Sequence, residues 1–102
     1  MKKLGRLDEA VKSYQKALEI SPDFPALHNN LGNAFKELGQ LDDALKSYKD
    51  ALSYNPDFPD SLSNLGIIYF KLGQLEKSVQ FYEKAIKINP IFKEAYNNLG
   101  NA

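Results

Sequence analysis

The 102-residue sequence contains no cysteine and no tryptophan, and it has a single histidine and a single methionine. The missing cysteines exclude disulfides, thiolate metal sites and a cysteine nucleophile. One histidine, His28, falls short of the ligand set of most zinc or iron sites, and on a helical packing position it reads as a packed side chain. Charge of one sign is also lacking: 13 basic residues meet 13 acidic ones. A broad electrostatic grip on nucleic acid or on a membrane surface needs a basic surplus, so neither partner is expected. Lys84, Lys87 and Lys93 are interleaved with Glu83 and Glu94 and read as solvated surface. No stretch approaches the ~18 apolar residues of a membrane span. Met1-Lys2-Lys3-Leu4 resembles the start of a signal peptide, but Gly5-Arg6-Leu7-Asp8-Glu9 puts charges where its apolar region should lie. The expectation is a soluble, cytoplasmic chain.

Catalytic signatures are scarce as well. The glycines recur singly, about one per helix or turn, so no phosphate-binding loop is present. No Ser-His-Asp arrangement can be argued from the order of residues. The expectation is a non-enzyme without cofactors or metals. What is present is a folded composition, 43% hydrophobic and 25% charged, too apolar for disorder and sized for one domain.

Its organisation is repetitive. Leu4-Gly5-Arg6-Leu7 returns as Leu38-Gly39-Gln40-Leu41 and Leu72-Gly73-Gln74-Leu75, each 34 residues on. Pro22, Pro56 and Pro90 keep that step, as do Tyr14, Tyr48 and Tyr82, and Phe24, Phe58 and Phe92. Residues 25–58 and 59–92 share 13 identities in 34 positions. Such a period is the mark of a repeat architecture.

Each period reads as two helices. Leu41, Ala44, Leu45, Tyr48, Ala51 and Leu52 fall on one face of a helix, and Leu7, Ala10, Val11, Tyr14, Ala17 and Leu18 repeat the spacing. Leu27, Leu31, Ala34, Phe35 and Leu38 mark the other helix of the pair, with Leu62, Leu65, Ile68, Tyr69 and Leu72 one period later. Gly5, Gly39 and Gly73 are placed to close a helix in the left-handed conformation. Asp8-Glu9, Asp42-Asp43 and Glu76 then fall in the first turn of the next helix and complement its dipole. Ser21-Pro22, Asn55-Pro56 and Asn89-Pro90 stop that helix, and Pro25 and Pro59 suit the first position of another. Gly32, Gly66 and Gly100 lie within helices at about 1 kcal/mol relative to alanine. Their recurrence predicts close approach by a neighbouring helix, as do the small residues Ala17, Ala51 and Ala85.

At this point the residues resemble a known family. Leu31-Gly32, Phe35, Gly39, Ala44, Tyr48, Ala51 and Pro56 follow the pattern of the tetratricopeptide repeat, and Leu65-Gly66, Tyr69, Gly73, Ser78, Tyr82, Ala85 and Pro90 follow it again. His28 departs from it, standing where the family often has a large aromatic; Leu62 and Tyr96 fill the equivalent places. Ser78 replaces the usual alanine. The resemblance implies an all-α superhelix of antiparallel helix pairs whose first helices line a concave groove. It also implies a scaffold for peptides or proteins. In this frame residues 1–24 supply mainly a second helix, 25–58 and 59–92 are full repeats, and 93–102 begin another first helix.

Groove candidates lie on the first helices, off the apolar stripe: Asn29, Asn30, Asn33 and Lys36; Asn64, Ile67, Phe70 and Lys71; Asn97, Asn98 and Asn101. Asn30, Asn64 and Asn98 stand one per repeat, and an amide can pair with both the N–H and the C=O of an extended peptide. This is similar to the asparagine ladder of the O-linked N-acetylglucosamine transferase superhelix. The same asparagines can instead satisfy backbone groups of neighbouring helices. The family's chaperone-tail binders use a clamp of groove lysines, and here Asn29, Ser63 and Asn97 occupy those places. Ile67 and Phe70 form a small apolar spot in mid-groove, or are half-buried between helices.

Two alternatives to a peptide scaffold stay open. Ala102 followed by Met1 would complete a repeat in register, so copies could stack head to tail, with Leu4, Leu7, Val11, Tyr96 and Leu99 partly uncovered. The chain could also be the substrate-presenting arm of a larger enzyme.

Overall fold

A computed structural model describes residues 2–88, with side chains from residue 5 onward. Among the described residues there are five helices and no strands: α1 (Lys2–Ile20), α2 (Pro25–Glu37), α3 (Leu41–Tyr54), α4 (Pro59–Lys71) and α5 (Leu75–Ile88). None is long and apolar enough to cross a membrane.

The boundaries follow from local chemistry. Pro25 and Pro59 open α2 and α4, where a missing N–H costs no helical bond. At the far end of α2 the Gly39 N–H donates to the Lys36 carbonyl at 3.0 Å and the Gln40 N–H to the Phe35 carbonyl at 2.9 Å. Gly73 and Gln74 repeat the pair on Phe70 and Tyr69, at 3.0 and 2.8 Å. This is the Schellman closure, and it requires the positive φ that Gly39 (80°) and Gly73 (79°) adopt. Asn55 leaves α3 in an extended conformation ahead of Pro56.

Gly5 differs. It lies inside α1, so it closes no helix, and Asp8-Glu9 sit well beyond the first turn.

Packing is sequential: α2 lies chiefly on α3, α4 on α5, with α1 against α2 and α3 against α4. Ala44, Tyr48, Leu65, Ile68 and Tyr69 form the central cluster, flanked by Phe35, Leu41, Leu45, Leu52 and Phe81. Each layer thus buries its neighbour's apolar face, the arrangement of a solenoid. The helical glycines set the spacing. A Cβ on Gly32 would stand 2.6 Å from Tyr48 Cε1, and one on Gly66 2.6 Å from Tyr82 Cδ2 and Cε2. The expected close approach is therefore made by a tyrosine ring of the paired helix.

α1 is covered less completely. Ala10, Tyr14 and Ala17 are half-buried, whereas Ala44, Tyr48 and Ala51 at matching positions of α3 have no exposure. Leu7 and Val11 are half-buried, as expected; Leu4, Tyr96 and Leu99 fall outside the described side chains.

Candidate functional site

The two first helices, α2 and α4, lie side by side and are joined by side-chain hydrogen bonds. Ser61 Oγ donates to Asn29 Oδ1 at 2.9 Å, and Asn64 Nδ2 donates to the same oxygen at 3.0 Å. Asn64 Nδ2 also donates to Asn33 Oδ1 at 3.2 Å, and Tyr48, from α3, donates its hydroxyl to that oxygen at 2.6 Å. Two carbonyls of α2 are thus each held by two donors, one of them shared across the seam. Buried polar groups keep their cost low only when paired in this way. Burial raises the Tyr48 phenol well above its ordinary range, with the Glu37 charge adding to the effect, so it stays a donor.

The candidates differ in burial. Asn29 is buried at 6% exposure, so it is a residue of the α2–α4 seam and not open groove surface. It lies off the apolar stripe of α2, but α4 covers it. Asn33 and Asn64 are half-buried in the same network, while Asn30 is exposed and takes part in no hydrogen bond of it. No fully buried side-chain polar atom lacks a partner among the described residues, so the free Asn33 Nδ2 and Asn64 Oδ1 are in reach of solvent. Ile67 is half-buried, and Phe70 is 38% exposed. Lys36 is half-buried and Lys71 exposed, in the last turns of α2 and α4. Asn97, Asn98 and Asn101 lie outside the described residues, so the third rung of the ladder does too.

Two contributors escape a reading by periodicity. Ser61 is fully buried and anchors Asn29; its signal is a polar residue 34 positions after the apolar Leu27. Ser78, in place of an alanine, donates its hydroxyl to the Gly66 carbonyl at 2.7 Å and ties α5 to α4. His28, in place of a large aromatic, stacks on Tyr54 with centroids 5.5 Å apart, and its Nε2 lies 2.7 Å from the Pro22 carbonyl oxygen. It therefore fills the aromatic's space and holds the α1–α2 turn. Ser63, at a place of a clamp lysine, is buried.

Comparison with known proteins follows the same lines. The sequence profile described as "TPR repeat" matches residues 2–39 and 32–73, and that described as "Tetratricopeptide repeat" matches 59–92. No curated protein matches the chain significantly. Among solved structures, the first TPR of Spaghetti (RPAP3) bound to the HSP90 peptide SRMEEVD superposes with a TM-score of 0.88 at 29% identity, covering 97% of this chain and 79% of that one. A crystal structure of MamA gives 0.85 at 26% identity, covering 96% and 57%. This chain thus spans a little over half the length of the MamA chain. Repeat period, Schellman-closed glycines, glycine–tyrosine interlocks and profile matches along the sequence converge: the chain belongs to the tetratricopeptide repeat family.

Proposed function

We propose that this chain is a protein-interaction scaffold that holds an extended peptide along α2 and α4, with asparagine amides pairing to the peptide backbone. The observation that carries the reading is the seam network. Asn64 spends its amide nitrogen on Asn29 and Asn33, which leaves the Asn64 carbonyl and the Asn33 nitrogen free, beside the exposed amide of Asn30. A donor and an acceptor held rigidly side by side suit a peptide bond, which offers one of each. Rigid placement matters because ordering side chains on binding costs free energy. The relative solved with an HSP90 peptide supports a peptide as the ligand class. Asn98 would extend the ladder by one rung.

The test uses a decapeptide recovered from a displayed random library, with affinity read by calorimetry. Asn30→Ala leaves the seam network untouched and should weaken binding by ~0.5–1.5 kcal/mol. Asn30, Asn64 and Asn98 replaced together should lose about that amount per rung. Unchanged affinity in the triple variant, with an intact thermal transition, rejects the site.

A second reading is favoured by α1. Its Ala10-Tyr14-Ala17 face is only half-buried, whereas the matching faces of α3 and α5 are sealed by the first helix of their own pair. In this reading residues 93–102 of a second copy cover that face, giving head-to-tail stacks. Mass that rises with concentration in light scattering supports stacking; a strictly monomeric mass at high concentration dismisses it.

A further inference from the structure

The seam hydrogen bonds all run in one sense. Asn29 and Asn33 stand one helical turn apart on α2, and the amide nitrogen of Asn64 gives one hydrogen to each of their carbonyls, at 3.0 and 3.2 Å. Taken as amides alone, the three side chains could hold one another equally well turned over, with the Asn29 and Asn33 nitrogens donating to the Asn64 carbonyl. Two hydroxyls decide between the senses. Ser61, from α4, donates to Asn29 at 2.9 Å, and Tyr48, from α3, donates to Asn33 at 2.6 Å. Both residues have no exposure, so neither proton can pass to water, and among the described residues each hydroxyl makes this one hydrogen bond. Turning the amides over would leave two buried O–H donors facing N–H groups, and a buried donor without an acceptor is costly. Burial also keeps the Tyr48 phenol protonated.

We propose that Tyr48 and Ser61 are positioning residues of the groove: their buried hydroxyl protons set the polarity of the amide relay, so that Asn33 presents a donor and Asn64 an acceptor, and the ligand must bring a backbone N–H to Asn64. The proposal rests on the groove reading above and adds a rule about the ligand to it. Neither hydroxyl reaches the ligand; each acts through the amide that it fixes. Asn30, outside the relay and exposed, can turn to serve a donor or an acceptor. Asn64 cannot, because both hydrogens of its amide are spent within the seam. Proline and N-methylated residues lack the N–H and are therefore excluded from the one peptide position seated there. A ladder of freely turning amides would accept any backbone unit in either sense, whereas the relay makes the groove selective. The two hydroxyls stand at opposite ends of the relay, so either one still biases its sense when the other is removed.

Water exchange of the side-chain amides, read by nuclear magnetic resonance on the free protein, reports the sense directly. Asn64, with both hydrogens bonded, should exchange about tenfold more slowly than Asn33. Tyr48→Phe with Ser61→Ala keeps the aromatic ring against Gly32 and should bring the two rates within about threefold. Each single variant should narrow the gap by less, which carries the comparison should the double variant not fold. In binding, an N-methyl scan of the library decapeptide should find one position where methylation weakens affinity for the native protein about tenfold, and for the double variant about threefold or less. A purely structural role of the hydroxyls would lower stability and leave the exchange order and this contrast unmoved. Faster exchange at Asn64 than at Asn33 in the native protein overturns the inference and spares the groove. So does an exchange order that survives removal of both hydroxyls. Decapeptide binding with no methylation-sensitive position overturns the backbone-pairing reading together with the ligand rule built on it.

Discussion

Replacing Gly66 by alanine sets two effects of opposite sign against each other. Alanine is the better helix former by about 1 kcal/mol. Its Cβ, however, would stand 2.6 Å from Cδ2 and Cε2 of Tyr82 and 3.1 Å from Cγ. Ordinary carbon contacts lie near 3.5–4.0 Å, so the ring must retreat by about 1 Å. Tyr82 is 1% exposed and its ring is sealed in the α4–α5 layer, so it has little room to move. Overpacking of this kind costs about 1–3 kcal/mol, and the tightness of the contact favours the upper part of that range. The net expectation is a loss of about 1–2 kcal/mol, or roughly 4–16 °C in melting temperature for a domain of this size. Gly5 supplies the control: it is also helical, but a Cβ there meets nothing within 4 Å. Gly5→Ala should stabilise by about 0.5–1 kcal/mol, because only the propensity acts. Thermal and urea denaturation followed by circular dichroism measures both. If Gly66→Ala melts at or above the temperature of the native protein, the interlock does not set the helix spacing.

Other outcomes follow from the same packing. Ala51 has no exposure, so Ala51→Leu should lose about 1–3 kcal/mol in urea denaturation. Tyr48→Phe removes a 2.6 Å hydrogen bond but leaves Asn33 Oδ1 paired with Asn64, so the loss should be near 1 kcal/mol in thermal denaturation. Burial pushes the Tyr82 phenol up to about 12, and Tyr48 is raised as well. The unfolded phenols ionise near pH 10, so above that the unfolded state binds fewer protons than the native one. The stability these tyrosines contribute is complete below pH 10 and is lost as pH rises from about 10 to about 12. Melting temperature across that range, with absorbance near 295 nm, should show unfolding and phenolate formation together; a melting temperature flat to pH 12 refutes the burial.

Legibility in the sequence followed the range of the interactions. Pro25, Pro59, Gly39 and Gly73 act through their own backbone angles, so the helix ends of α2, α3 and α4 were readable within a residue or two. Gly5 carries the same local signal as Gly39, yet it lies inside α1 and not at a helix end. The glycine–tyrosine interlock was readable as a close approach, because both partners recur every 34 residues. The site was harder. A helical wheel places Asn29 off the apolar stripe, and only the neighbouring α4 turns that position into a buried seam. Ser61 and Ser78 were visible only as interruptions of an apolar pattern, and their hydroxyl partners depend on helices meeting across layers.

The most direct test of the groove is a chemical-shift map of the labelled protein as a bound peptide is titrated in. Shifts concentrated on the side-chain amides of Asn30, Asn33 and Asn64, the Ile67 methyls and the Lys36 side chain are expected, with the outward residues of α3 and α5 such as Lys49 and Glu83 unchanged. Shifts confined to α3 and α5 would contradict the account.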